Sequence, residues 1–189
     1  MFGNWEFEPS DLGETMTLRI AEAYGVPMGG NFPKRLVEKS PSFLIFAERD
    51  PMSANLDRIQ IIKGWVDDEG QSHERIIDVA WSGERVPDPE TGRVGPVGST
   101  VDPVTASYSN SIGSPQLKGF WSDDDFSPDQ QAFYYARVLE IPTPRWSTYD
   151  AKRLGTEPMD PVSIQERAIG SAIWYQPAIE ESAEAVSEQ

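Results

Sequence analysis

The chain has 189 residues, a formal net charge of −15, a single histidine (His73) and no cysteine. That length accommodates one sizeable core, alone or with tails. The charge repels phosphate backbones and anionic lipid headgroups, so neither nucleic acid nor a membrane surface is expected as a partner, and a lone imidazole cannot by itself assemble a transition-metal site.

Six Trp, six Tyr and eight Phe supply a large burial area from few residues, while fifteen Gly and sixteen Pro favour short strands joined by many turns over a helical bundle. No apolar run reaches the roughly 20 residues of a membrane span, and the first residues lack the basic and apolar regions of a signal peptide. A soluble protein is expected, in cytoplasm or periplasm alike, since a cysteine-free chain suits either.

In chain order, Asp11 and Glu14 form the pattern of a capping box, and Leu12, Met16, Ile20 and Ala23 follow at helical spacing up to Gly25. Residues 26–42, with Pro27, Gly29, Gly30, Pro33 and Pro41, read as loop. Ser42 to Ala47 is a short buried strand. Leu56 to Val66 alternates, with Ile59, Ile61 and Trp65 on one face and Arg58 and Gln60 on the other. The turn Asp67-Asp-Glu-Gly70 leads into Glu74 to Trp81, which places Ile77, Val79 and Trp81 together and completes a hairpin. His73 stands beside that turn as an exposed hairpin residue.

Residues 82–103 form a long connection rich in Gly and Pro. Strands are expected again at 106–111 and 116–121. Asp123-Asp-Asp125 is an acidic turn and not a calcium loop, because Pro128 and Tyr134 stand where an EF-hand needs Gly and Glu. Ala132 to Ile141, apolar and aromatic on both faces, should be the central strand of its sheet. Pro142 and Pro144 end its pairing. Ser147 begins a short helix that Gly155 closes, Ser163 begins another through Ala168, and Ile173-Trp-Tyr175 is a final docking segment. The acidic stretch 178–189, with Glu180, Glu181, Glu184 and Glu188, is expected to be disordered. The fold class expected is mainly β: a two-sheet, sandwich-like domain with short flanking helices and long loops.

Several long motifs occur in a fixed order: Asp50-Pro-x-Ser-x-Asn-Leu-Asp-Arg-Ile-Gln-Ile-x-Lys-Gly-Trp65, Asp78-Val-Ala-Trp-Ser-Gly83, Pro96-Val-Gly-x-Thr-Val-Asp102, Asn110-x-Ile-Gly113, Phe133 to Trp146, and Gln165-Glu-Arg-Ala168. With these, and with Gly25 to Gly30, the chain resembles the C-terminal region of a large, uncharacterised bacterial family of PHP-like (polymerase and histidinol phosphatase type) metal-dependent hydrolases. The resemblance implies a parent whose barrel, ahead of this region, carries a divalent metal cluster in His- and Asp-rich loops. It implies three segments here: 1–39, a helix and loop continuing from that barrel; 40–177, a β-rich C-terminal domain; and 178–189, the acidic tail. The barrel's His-x-His motif has no counterpart in this chain, so no catalytic residue, metal ligand or cofactor is carried over. Ala172 replaces a proline of the family pattern.

Two classes of function follow. The first is an accessory β-domain, fragment or split-gene product, of a PHP-like phosphoesterase or other hydrolase, whose partner is the upstream barrel in cis or in trans. The second is a stand-alone β-sandwich binding module for a carbohydrate or a protein. Trp5, Trp65, Trp81 and Trp121 fall at core positions, whereas Trp146 and Trp174 adjoin irregular segments and suit a surface role. The candidate substrate- or interface-binding residues are Arg145 and Trp146, projected by the stiff Pro142-Thr-Pro144, with Tyr149 and Arg167 beside them. The competing structural reading pairs Arg145 with a local carboxylate such as Glu140 or Asp150 and buries Trp146 on the core.

Overall fold

The computed structural model describes residues 1–13, 17–35 and 38–177; the stretch 178–189, expected to be disordered, lies outside them. In chain order the elements are β1 (Phe2–Asn4), a 3₁₀ turn (Pro9–Leu12), α1 (Thr17–Tyr24), β2 (Val26–Pro27), β3 (Ser42–Glu48), β4 (Leu56–Val66), β5 (Ser72–Trp81), β6 (Gln116–Ser122), β7 (Ala132–Glu140), β8 (Thr143–Pro144), α2 (Trp146–Leu154), β9 (Ser163–Ile164), β10 (Arg167–Ile169) and β11 (Ile173–Tyr175). The protein is mainly β, as its turn-rich, aromatic sequence requires. One antiparallel sheet has the order β2-β1-β3-β6; the other runs β10-β7-β4-β5, with β11 continuing along the same edge of β7 as β10.

Inward residues of the two sheets interdigitate. From the second sheet come Ile59, Ile61, Tyr134 and Ala136, and from the first Phe43 and Ile45, all essentially without solvent access. Phe43 lies 4.7 Å from Tyr134 and stacks on Trp121 at 5.8 Å. Each such side chain contributes about 1.5–3 kcal/mol by leaving water. Segment 1–39, expected as helix and loop, also supplies strands β1 and β2, and its Trp5 and Phe32 join this same core. Trp5 meets Phe32 at 4.9 Å and Tyr175 edge-on at 5.7 Å, so the two ends of the described chain close on each other.

Asp11 shares a capping box with Glu8 around the 3₁₀ turn Pro9–Leu12, and the described α-helix starts at Thr17; Glu14 and Met16 of the expected capping and helical pattern lie outside the described residues. Three further expectations are corrected. Residues 106–111 form turns, because Ala106 takes a φ of 47° and Ser107 folds back onto Asp102. Residues 163–168 are not helical: Ser163 and Ile164 pair with Thr143 and Pro144, and Arg167 to Ile169 pair with β7, whose open edge offers ladder partners that a helix would leave empty. In β5 the register shifts, Ala80 facing Ile59 but Asp78 facing Gln60, so Val79 and Ala80 pack on the core while Trp81 pairs with Arg58 on the outer face. β7 is central as expected, flanked by β4 on one side and by β10 and β11 on the other.

One charge pair lies inside the sandwich. Lys63 Nζ is 2.6 Å from Asp123 Oδ2, the Tyr134 hydroxyl donates to the same oxygen at 2.7 Å, and both charged side chains are more than nine-tenths buried. Burial, and then the adjacent Asp123 carboxylate, push the Tyr134 hydroxyl far above the usual phenol range. Asp123→Asn strands the Lys63 ammonium in an apolar interior and is expected to cost about 3–5 kcal/mol. Tyr134→Phe removes one hydrogen bond and is expected to cost about 1.5–3 kcal/mol, since the acceptor is charged. Urea unfolding of the two variants should show that ranking.

Candidate functional site

Three of the four sequence-derived candidates fall together at the end of the sandwich that follows β7. The chain leaves β7, makes a two-residue ribbon with β9, and enters α2, whose N-cap is Arg145 and whose left-handed C-cap is Gly155, at φ 68°. Ser147, expected to cap this helix, is inside it and buried, its hydroxyl without a hydrogen-bond partner among the described residues. Thr148, fully buried, donates its hydroxyl to the Val162 carbonyl at 2.7 Å and so fastens the helix to the ribbon. The outward face then carries Trp146, 64% exposed, and Tyr149, 45% exposed, one turn apart.

The Arg145 guanidinium sits 5.7 Å from the centre of the Trp146 ring, and its Nη1 reaches the Asp160 carbonyl at 3.5 Å. Among the described residues it forms no ion pair with Glu140, Asp150 or any other carboxylate. Among the described residues the arginine has no carboxylate partner, and the indole stands in solvent instead of on the core.

Arg167 is placed elsewhere. It lies on β10 opposite Leu139 and lines a groove of about 470 Å³ with Arg49, Glu140 and Glu166. Tyr108 lies towards this side of α2; burial first, then neighbouring Tyr149 and Glu140, raise its hydroxyl above the usual phenol range. No hydrogen bond, ion pair or ring contact joins Arg167 to Arg145, Trp146 or Tyr149 among the described residues.

Sequence reading missed a buried network on the outer face of the β4 sheet. Asp57 Oδ2 accepts from Arg58 at 3.0 Å and Gln165 at 2.9 Å, and its Oδ1 lies 2.7 Å from Arg85 Nη2. Asp78 accepts from Gln60 at 2.6 Å, from the Val94 amide at 2.9 Å and from Arg93 at 3.2 Å. Arg137 donates to Gln60 at 2.8 Å. Neither carboxylate side chain reaches solvent. The signal was present in β4, where polar Asp57 and Gln60 interrupt a largely apolar strand, but alternation alone set Arg58 and Gln60 on the face away from Ile59 and named no partners for them.

A second feature it missed is at the other end of β7. Trp65, Ser72, His73, Glu74, Gln131, Phe133, Trp174 and Gln176 line much of an aromatic cleft of about 540 Å³. His73, expected as an exposed hairpin residue, donates from Nε2 to the Asp67 carboxylate at 2.6 Å and stacks on Trp65 at 5.2 Å. The hydrogen bond from His73, then that from the Gln71 amide, hold Asp67 below the usual carboxylate range.

Fold and surface together define a sandwich-like β-domain with one arginine–tryptophan end and one aromatic cleft. The chain belongs to the family described as "Protein of unknown function (DUF3604)", whose model matches residues 1–177. Neither the curated proteins nor the solved structures contain a match to it. No helix among the described residues is long and apolar enough to cross a membrane.

The Asp78 carboxyl has a direct pH signature. Burial alone would raise its pKa; hydrogen bonds from Gln60 and Val94 and the charges of Arg93 and Arg58 outweigh that and lower it. A carboxylate depressed on folding stabilises the protein above its unfolded pKa, about 3.9, and loses that contribution as pH falls through the folded value. Asp78→Asn is therefore expected to cost about 1.5–3 kcal/mol near neutrality, less to the extent that half-exposed Arg93 is rehydrated. The gap between wild type and variant in urea unfolding should close as the solution is acidified below the ordinary aspartate range.

Proposed function

We propose that this chain is the accessory β-domain of a PHP-like metal-dependent phosphoesterase or related hydrolase, and that it docks on the metal-bearing barrel, in cis or in trans, through Arg145, Trp146 and Tyr149. The carrying observation is the exposed Trp146 ring with the Arg145 guanidinium beside it and no carboxylate partner for it among the described residues. Trp, Tyr and Arg are the residue types that dominate the centres of protein interfaces, because each offers a large, stiff surface with a polar tip. Here all three project from one helix end whose buried face is fixed by Thr148. The ordered motifs from Asp50 to Ala168, which resemble the PHP-like family, support the same reading.

The described residues contain no group of His, Cys, Asp or Glu arranged to hold a metal ion. In this reading the divalent metal and the bond-breaking chemistry belong to the barrel, and no step is assigned to residues of this chain. Its contribution is to hold the barrel, and to set the surroundings of its mouth with a guanidinium fork suited to phosphate, sulfate or carboxylate groups.

The test is reconstitution with the barrel encoded upstream. Mixed with it, the chain should form a stable complex whose metal content and phosphoesterase turnover exceed those of the barrel alone. Arg145→Ala with Trp146→Ala should weaken that complex by about 2 kcal/mol or more while leaving the isolated domain's urea midpoint unchanged. A complex indifferent to both substitutions, or substitutions that unfold the domain, would sink the proposal.

A further inference from the structure

We infer that the aromatic cleft at the opposite end of β7 is a binding site for uncharged saccharide. This does not rest on barrel docking, since it concerns a different surface. The site begins with Gly64. A Cβ there would come within 2.3–2.9 Å of three atoms of the Phe133 ring, so only glycine lets that ring lie flat on β4. Phe133 in turn backs Trp174, its neighbour across the β7–β11 ladder, with ring centres 5.2 Å apart and planes tilted by 49°. Trp174 is 46% exposed, although its backbone is tied on both sides, its amide to Gly30 and its carbonyl to Phe32. The result is a stiff indole platform open to solvent.

Around the platform stand polar side chains with no partner among the described residues: Ser72, Glu74, Gln131 and Gln176, together with the Trp174 indole N–H. Two primary amides and a carboxylate are planar groups able to engage neighbouring hydroxyls in pairs, and an apolar ring face complements the C–H face of a pyranose. A cleft of about 540 Å³ falls within the roughly 300–1,000 Å³ usual for small-ligand sites.

Charge and ring placement reject the other occupants. Glu74 at the rim and the chain's charge of −15 oppose an anion. A quaternary ammonium needs several ring faces closing around it, but Trp65 is already engaged: His73 stacks on it, and the Lys63 ammonium lies 5.1 Å from its centre. An open platform rimmed by amides fits a neutral sugar.

The experiment titrates the full chain with neutral tetrasaccharides of glucose, xylose, mannose and N-acetylglucosamine, following heat and tryptophan fluorescence, with choline and a sulfated oligosaccharide as charged probes. At least one neutral sugar should bind and perturb fluorescence. Trp174→Ala should weaken it at least about tenfold, and Glu74→Gln severalfold. Tyr24→Ala, which removes an exposed aromatic on α1, should leave it unchanged. Absence of binding by every neutral sugar at millimolar concentration overturns the inference. So does binding confined to choline or the sulfated probe, or saccharide binding that survives both Trp174→Ala and Glu74→Gln in folded protein. None of these outcomes bears on Arg145 and the barrel.

Discussion

Asp57 and Asp78, two carboxylates without solvent access, are the fixed points on which the outer face of the β4 sheet is built. A dehydrated carboxylate persists only where donors surround it, and here the donors come from far along the chain. Arg85, Arg93 and the Val94 amide belong to the long connection after β5, and Gln165 lies 108 residues beyond Asp57. Satisfying the two acids therefore draws that connection down as a lid over β4 and pulls the segment between β9 and β10 against the end of β7, where Gln165 also donates to the Glu140 carbonyl at 2.9 Å. The path into α2, and with it the position of Arg145 and Trp146, follows from this closure.

The Lys63–Asp123 pair imposes a complementary constraint from within. An ion pair of this kind adds little net stability over an apolar replacement, but it penalises any sheet register that separates the two groups. Lys63 stands opposite Tyr134 across the β4–β7 ladder, and the Tyr134 hydroxyl completes the site. A slip of one residue between these strands would turn Lys63 to the outer face and leave Asp123 alone. The same register carries Gly64 beneath Phe133, so the interior pair and the exterior platform are set by one alignment.

This division explains what the sequence made legible. β4 and β5 declare themselves by alternation and β3 and β7 by runs of apolar and aromatic residues, and Gly155 marks the end of α2 because a left-handed residue is needed there. β1 and β2, of three and two residues, have no period to read; β1 exists because Phe2, Gly3 and Asn4 find partners in Leu44, Phe43 and Ser42 of β3, far along the chain, and β2 because it pairs with β1. Residues 163–168 look helical locally and become strand through an edge of β7 that only the assembled sheet presents. Arg145 and Trp146 could be singled out because Pro142 and Pro144 lie just before them. The cleft could not, since it gathers residues from 65 to 176 and depends on the side of the sheet to which Trp174 turns.

β7 separates the two exposed surfaces. Trp174 pairs with Phe133 near its start, whereas the turn into α2 follows Glu140 at its end. At about 3.3 Å per residue the nine residues of β7 span roughly 30 Å. A barrel seated on Trp146 and Tyr149 would not cover Trp174 at that distance unless it wrapped the side of the sandwich. Both surfaces are also built on rigid parts: one on a helix locked by Thr148, the other on a ring laid over Gly64. A saccharide held at one end would therefore be displayed at a fixed offset from a barrel held at the other. The β-domain would act as a spacer of defined length between them.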